Sequence, residues 1–73
     1  MPKKNSRISI DPRVMHGQPV VRGTRISVEL VLDHLADGYL PEEIIAEYPK
    51  LTRSDIRAAV EFAKQAVAAS TAR

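Results

Sequence analysis

The first ordered pattern in the chain is an alternation. Arg7-Ile8-Ser9-Ile10 sets apolar residues two apart, the period of a half-buried strand, and Asp11-Pro12 ends it. A second, β-branched run, Pro19-Val20-Val21-Arg22, is bracketed by Gly17 and Gly23, residues that take positive φ in turns at least cost. The two runs predict a short ribbon, paired within one chain or across a dimer. A lone two-stranded ribbon is marginal in water, so the helices that follow must cover it.

From Ser27 the period changes to that of a helix. Ser27 is the expected N-cap, Glu29 sits on the positive helix end, and Val28, Val31, Leu32 and Leu35 fall at i, i+3, i+4 and i+7, with Leu30 at the flank. Gly38 closes this helix. Pro41 suits the first position of a second helix over 41–48, with Glu42 and Glu43 at its start and Ile44, Ile45 and Tyr48 on its buried side; Pro49 stops it. Thr52 with Asp55 resembles a capping box built on a shorter acid than usual. A third helix over 52–68 then carries Ile56, Ala59, Val60, Ala63 and Val67 on one stripe, widened by Phe62 and Ala66. A face that broad can serve a monomer core and a second subunit together. The alanine-rich end has little to bury and is expected to fray after about Ala68. The chain therefore divides into a flexible basic arm over 1–6, one domain over 7–68 and a frayed tail over 69–73. Its fold class is mostly α, a three-helix bundle behind a short two-stranded β ribbon.

Length and composition sharpen this picture. At 73 residues, a single core only just offsets chain entropy, and folds of this size often dimerise. The aromatic residues are Tyr39, Tyr48 and Phe62, so the core is aliphatic and small. The absence of cysteine removes disulfides, thiolate metal sites and cysteine catalysis, and fits a reducing cytoplasm. No apolar run approaches a membrane span, and Met1-Pro2-Lys3-Lys4 lacks the apolar stretch of a signal peptide, so an internal, soluble protein is expected.

The formal net charge of +2 conceals a strong asymmetry. Residues 1–25 carry six Lys or Arg against Asp11, and residues 49–73 carry five against Asp55 and Glu61. Between them, residues 26–48 carry Glu29, Asp33, Asp37, Glu42, Glu43 and Glu47 with no Lys or Arg at all. Basic ends around an acidic middle suggest two surfaces, one that attracts phosphates and one that attracts a basic partner; a mixed, solubilising surface is the plainer reading.

Helix 41–48, the tight Pro49-Lys50-Leu51 connection and helix 52–68 have the lengths of a helix-turn-helix, whose second helix lies in the major groove. Arg53, Ser54 and Arg57 occupy its exposed first turns, Lys50 sits in the connection, and Lys3, Lys4 and Arg7 form an arm suited to salt-sensitive phosphate contacts. Glu42 and Glu43 oppose this reading, because the start of the preceding helix often lies near a phosphate. They are adjacent and point to different sides of a helix, so they form no paired acid and base. His16 and His34 lack the spacing of a metal or catalytic site. Arg22 and Arg25 flank Gly23-Thr24, which matches neither a P-loop nor a dinucleotide fingerprint. A structural role fits better: the glycines allow the turn, Pro19 stiffens it, Thr24 or Ser27 satisfies helix-start amides, and Arg25 pairs with an acid of the middle segment, within a chain or across a dimer. No acid, base and nucleophile can be assembled, so no enzyme and no cofactor are expected.

One longer signature remains. The run Gly17-x-Pro19-x-x-x-Gly23-Thr24-Arg25-Ile26, preceded by Ile10-Asp11-Pro12, resembles the small prokaryotic family known as domain of unknown function 433. Gly38, Glu42-Glu43-Ile44, Tyr48-Pro49-x-Leu51-Thr52 and Asp55-Ile56-x-Ala58-Ala59-Val60-x-Phe62-Ala63 extend the likeness over residues 7–64. Leu40 departs from it, standing where the family has a small hydroxyl residue to cap the second helix. The resemblance implies a homeodomain-like, antitoxin-type helix-turn-helix that forms a homodimer and is encoded beside a toxin of PIN-like nuclease fold. Its function would be to neutralise that toxin and to repress its own operon on operator DNA, with the six acids meeting the toxin's basic surface. The alternative is a stand-alone dimeric protein-interaction module that binds no DNA.

Overall fold

The computed structural model describes residues 6–71, without the side chain of Thr71. Strand β1 (Ile8–Ser9) leads through a single-turn 3-10 helix (Met15–Gly17) to β2 (Val20–Val21), followed by α1 (Val28–Ala36), α2 (Pro41–Glu47) and α3 (Arg53–Thr71). The ribbon closes within one chain: β1 and β2 are antiparallel, with Ile8 opposite Val21 and Ser9 opposite Val20. The architecture is the expected mostly α fold behind a short β ribbon.

The signature stretch 17–26 is a hairpin that delivers the chain into α1. Val21 N–H donates to the Ile26 carbonyl at 2.9 Å, Val28 N–H donates to the Pro19 carbonyl at 2.9 Å, and Val20 bridges to Ser27. Gly23, at φ +81°, makes the tight turn. Thr24 Oγ1 donates to the Val21 carbonyl at 2.8 Å and accepts the Ile26 N–H at 2.9 Å, so Thr24 serves the turn. Ser27 alone caps the helix, its Oγ accepting the Leu30 N–H at 3.0 Å. Arg22 folds back over β1 and donates to the carbonyls of Ser6 and Ile8, a strap across the ribbon rather than an anion site.

Gly17 takes positive φ as expected, and so do its neighbours Met15 and His16. The left-handed run includes two side-chain-bearing residues that the sequence pattern did not single out. Gly17 N–H to the Val14 carbonyl (3.0 Å) and Gln18 N–H to the Met15 carbonyl (3.1 Å) hold it.

The core gathers Ile8 and Val21 from the ribbon, Val28 and Val31 from α1, Ile44 from α2, Leu51 from the connection, and Ile56, Ala58 and Ala59 from α3. Three readings of the pattern are corrected here. Ile10 is exposed, because β1 stops at Ser9 and the alternation outruns the pairing. Val60 and Val67 are 44% and 62% exposed, while Ala58 takes a buried place instead, because α1 and the ribbon cover only one side of α3. Leu51, expected only as part of a connection, is 2% exposed and plugs the core. At the other end, α3 runs to Thr71.

Candidate functional site

Asp55 organises the start of α3. Its Oδ2 accepts the Thr52 N–H at 3.0 Å while the Thr52 Oγ1 accepts the Asp55 N–H at 3.1 Å, a complete capping box despite the short acid. The remaining oxygen, Oδ1, accepts from Arg7 Nη1 at 3.1 Å. Asp55 is 7% exposed as a residue, and its carboxylate is fully partnered. Arg7 therefore bonds α3 of its own chain, with its side chain still 53% exposed. Lys3 and Lys4 lie outside the described residues.

The other cations assigned to a nucleic-acid face are separated. Arg53 donates to Glu42 Oε1 at 3.0 Å, so a residue of the expected DNA set and one of the expected partner set neutralise each other across the α2–α3 connection. Lys50 lies instead at a shallow groove shared with Arg25, Thr24 and Asp11. Within the chain, Arg25 makes no ion pair with the acidic segment among the described residues, which leaves the pairing across a dimer untouched. Ser54 and Arg57 are exposed on the first turns of α3, as their positions predict, and Arg57 has no ion-pair partner among the described residues. A groove of about 510 Å³ runs between them and the end of α1, with Leu35, Pro41, Ile56 and Val60 in its wall.

All six carboxylates of residues 26–48 are exposed. Glu29, Asp33 and Asp37 fall at i, i+4 and i+8, one outward edge of α1. On α2, Glu43 accepts the Leu40 N–H at 2.7 Å. That is half of a capping box, since leucine has no oxygen to return and contributes only its backbone carbonyl to the Glu43 N–H. Tyr48 follows as the C-cap, so α2 ends one residue short of the expected 48 under the constraint of Pro49.

Glu47 reaches His34, whose role the sequence did not signal. The His34 ring bridges the two helices, with Nε2 3.2 Å from Glu47 Oε1 and Nδ1 2.9 Å from the Leu30 carbonyl, and packs edge-on against Tyr39 and Tyr48. Gly38, at φ +96°, turns the chain so that Tyr39 N–H bonds the His34 carbonyl and Gly38 N–H bonds the Leu35 carbonyl, a Schellman C-cap. The Tyr39–His34 ring contact supplies its apolar closure. Asp11, of intermediate burial, accepts from the Arg13 side chain at 3.1 Å and from its N–H at 2.9 Å, which together hold its carboxyl below the usual carboxylate range.

Among the described residues no three His, Cys, Asp or Glu side chains are grouped to hold a metal, and no helix is long and apolar enough to cross a membrane. What remains is a small helical protein with an acidic α1–α2 face and a mixed cationic and apolar edge on α3. The family model described as "Protein of unknown function (DUF433)" matches residues 8–63, and the chain belongs to that family. The crystal structure at 2.00 Å of a DUF433 member protein from Anabaena variabilis ATCC 29413 matches it with a TM-score of 0.77 and 37% identity. The match covers 81% of this chain and 58% of the Anabaena protein, so this chain spans less than two thirds of that relative's length. No curated protein matches.

Proposed function

We propose that this protein is an antitoxin-like, non-enzymatic regulator of the cytoplasm that covers a basic, PIN-like nuclease toxin with its acidic α1–α2 face and, on its own, forms a homodimer. The observation that carries this reading is the exposure of all six carboxylates in a segment without a single Lys or Arg. Three of them, Glu29, Asp33 and Asp37, have no ion-pair partner among the described residues. Unpaired like charges on one helix edge cost stability in isolation and repay it against a surface of opposite sign. The test is co-expression with the neighbouring gene product and capture of the pair. Glu29, Asp33 and Asp37 all changed to Lys should abolish capture while leaving the helical circular dichroism intact; undiminished capture would count decisively against the acidic face.

Binding of operator DNA through α3 is the second part of the proposal, supported by exposed Arg57 and Ser54 behind a helix-turn-helix layout of α2 and α3. The Arg53–Glu42 pair and the apolar groove favour the alternative, a protein-interaction module that binds no DNA. A gel shift on the upstream DNA separates them: a salt-sensitive shift lost in Arg57→Ala supports DNA binding, and no shift at low salt leaves the interaction module.

A further inference from the structure

The outward edge of α3 has a spacing of its own. Arg53, Arg57, Val60, Lys64 and Val67 follow one another at intervals of four, three, four and three, the repeat by which one helix packs along another, and all five are exposed. Two valines 44% and 62% exposed on a helix that has already buried its other side are surface left to cover. The groove walled by Leu35, Pro41 and Ile56 extends the apolar strip beneath Arg53 and Arg57. Phosphate backbone offers nothing to bury against such a strip, whereas a helix does.

The charges on this edge select the helix. A second α3 laid parallel would set arginines and a lysine against arginines and a lysine, and even antiparallel it offers these cations no carboxylate edge. The chain carries the complementary edge on α1, where Glu29, Asp33 and Asp37 stand in register with exposed Ala36 and half-buried Leu30 beside them. At a rise of about 1.5 Å per residue, the acids span about 12 Å and the cations from Arg53 to Lys64 about 16 Å, so the two edges match in length. Arg53 and Lys64 are already satisfied in part, by Glu42 at 3.0 Å and Glu61 at 3.6 Å. Arg57 has no such partner among the described residues, and neither has Asp33.

We propose that the outward edge of α3 is the seat for the acidic edge of α1 from a second copy of this chain, the two contacts repeating about a twofold axis. Each protomer supplies one edge of each sign, as a self-complementary interface requires. This rests on the homodimer of the proposed function and names its faces. Because the basic partner uses the same carboxylates, the dimer is the partner-free form, and a protomer that covers the partner has left it.

The experiment is sedimentation velocity on the full chain over a range of concentration and salt, for wild type, Arg57→Glu, Asp33→Lys and the double variant. Wild type should dimerise, more weakly as salt rises. Each single reversal should raise the dissociation constant about tenfold or more, and the double variant should recover to within about threefold of wild type, because only the swapped pair restores opposite signs. Circular dichroism checks each fold, and Lys64→Glu replaces any single variant that unfolds. A wild-type dimer indifferent to all the reversals overturns the seat and leaves the dimer standing. A wild type that stays monomeric overturns both, while capture of the basic partner is read independently. A double variant no tighter than the singles also overturns the seat.

Discussion

Arg7 and Asp55 lie forty-eight positions apart and meet at 3.1 Å, joining the residue before the first strand to the first turn of the last helix. The bond closes the chain on itself at the point where the Thr52–Asp55 capping box already fixes α3. Asp55 thus serves cap, ribbon and core edge at once.

Asp55→Ala removes both the cap and the ribbon anchor. We expect a loss of about 2 kcal/mol, against about 1 kcal/mol for Thr52→Ala and under about 1 kcal/mol for Arg7→Ala, whose side chain is half exposed. Urea unfolding of the three variants measures the order. Equal losses for Arg7→Ala and Asp55→Ala would place the energy in the ion pair rather than the cap.

His34 ties α1 to α2 through Nε2, which lies against Glu47, and through its edge-on contact with Tyr48, while Nδ1 bonds back to the Leu30 carbonyl of its own helix and Tyr39 packs from the loop. Replacing it with Ala should cost about 1–2 kcal/mol, since a half-buried ring and its edge-on contacts are lost together. Glu47→Gln, which keeps the oxygen on an exposed side chain, should cost less than about 0.5 kcal/mol. The same unfolding series checks both, and a larger effect at Glu47 would show that the charge, not the packing, holds the helices.

Gly38 ends α1 in the left-handed region with nothing within 4 Å of the position a Cβ would take. Gly38→Ala should therefore cost about 1 kcal/mol from backbone conformation alone, and Gly38→Asn visibly less, because asparagine tolerates that region. Thermal midpoints of the two variants test this. A severe loss in both would point to a packing role that open space does not provide.

Asp11 contributes on the acid side. Its carboxyl is held below its ordinary value by Arg13, first through the side chain and then through the backbone amide. A depressed folded-state value means stabilisation that is present above the unfolded value and lost as pH falls through the folded one. A carboxyl-detected NMR titration should place Asp11 below the free aspartate range and return it upward in Arg13→Ala. No upward movement in that variant would assign the shift elsewhere.

Much of the fold was legible because it is local. Ser27, Gly38, Pro41 and Pro49 act on their own turns of chain, and each marks its helix end where the sequence placed it to within a residue. The hairpin around Gly23-Thr24 was legible as a turn, since glycine in a left-handed position and a hydroxyl two residues before an amide need no distant partner. The exposure of Val60 and Val67 was not legible, because periodicity says which residues share a face and leaves open how much of that face another element covers.

The candidate site divides along the same line. The acids of residues 26–48 were readable as a block of charge, and their exposure follows from the cost of burying a carboxylate unpaired. Which cations stay available was decided only when the chain closed. Arg7 was drawn to Asp55, Arg53 to Glu42 and Arg22 to the carbonyls of β1, because each guanidinium met an acceptor that folding carried to it. The sequence by itself determined the helices, the turn and the sign of each segment, all matters of neighbours along the chain. The tertiary structure decided which charges cancel and which face outward, since ion pairing depends on distance in space.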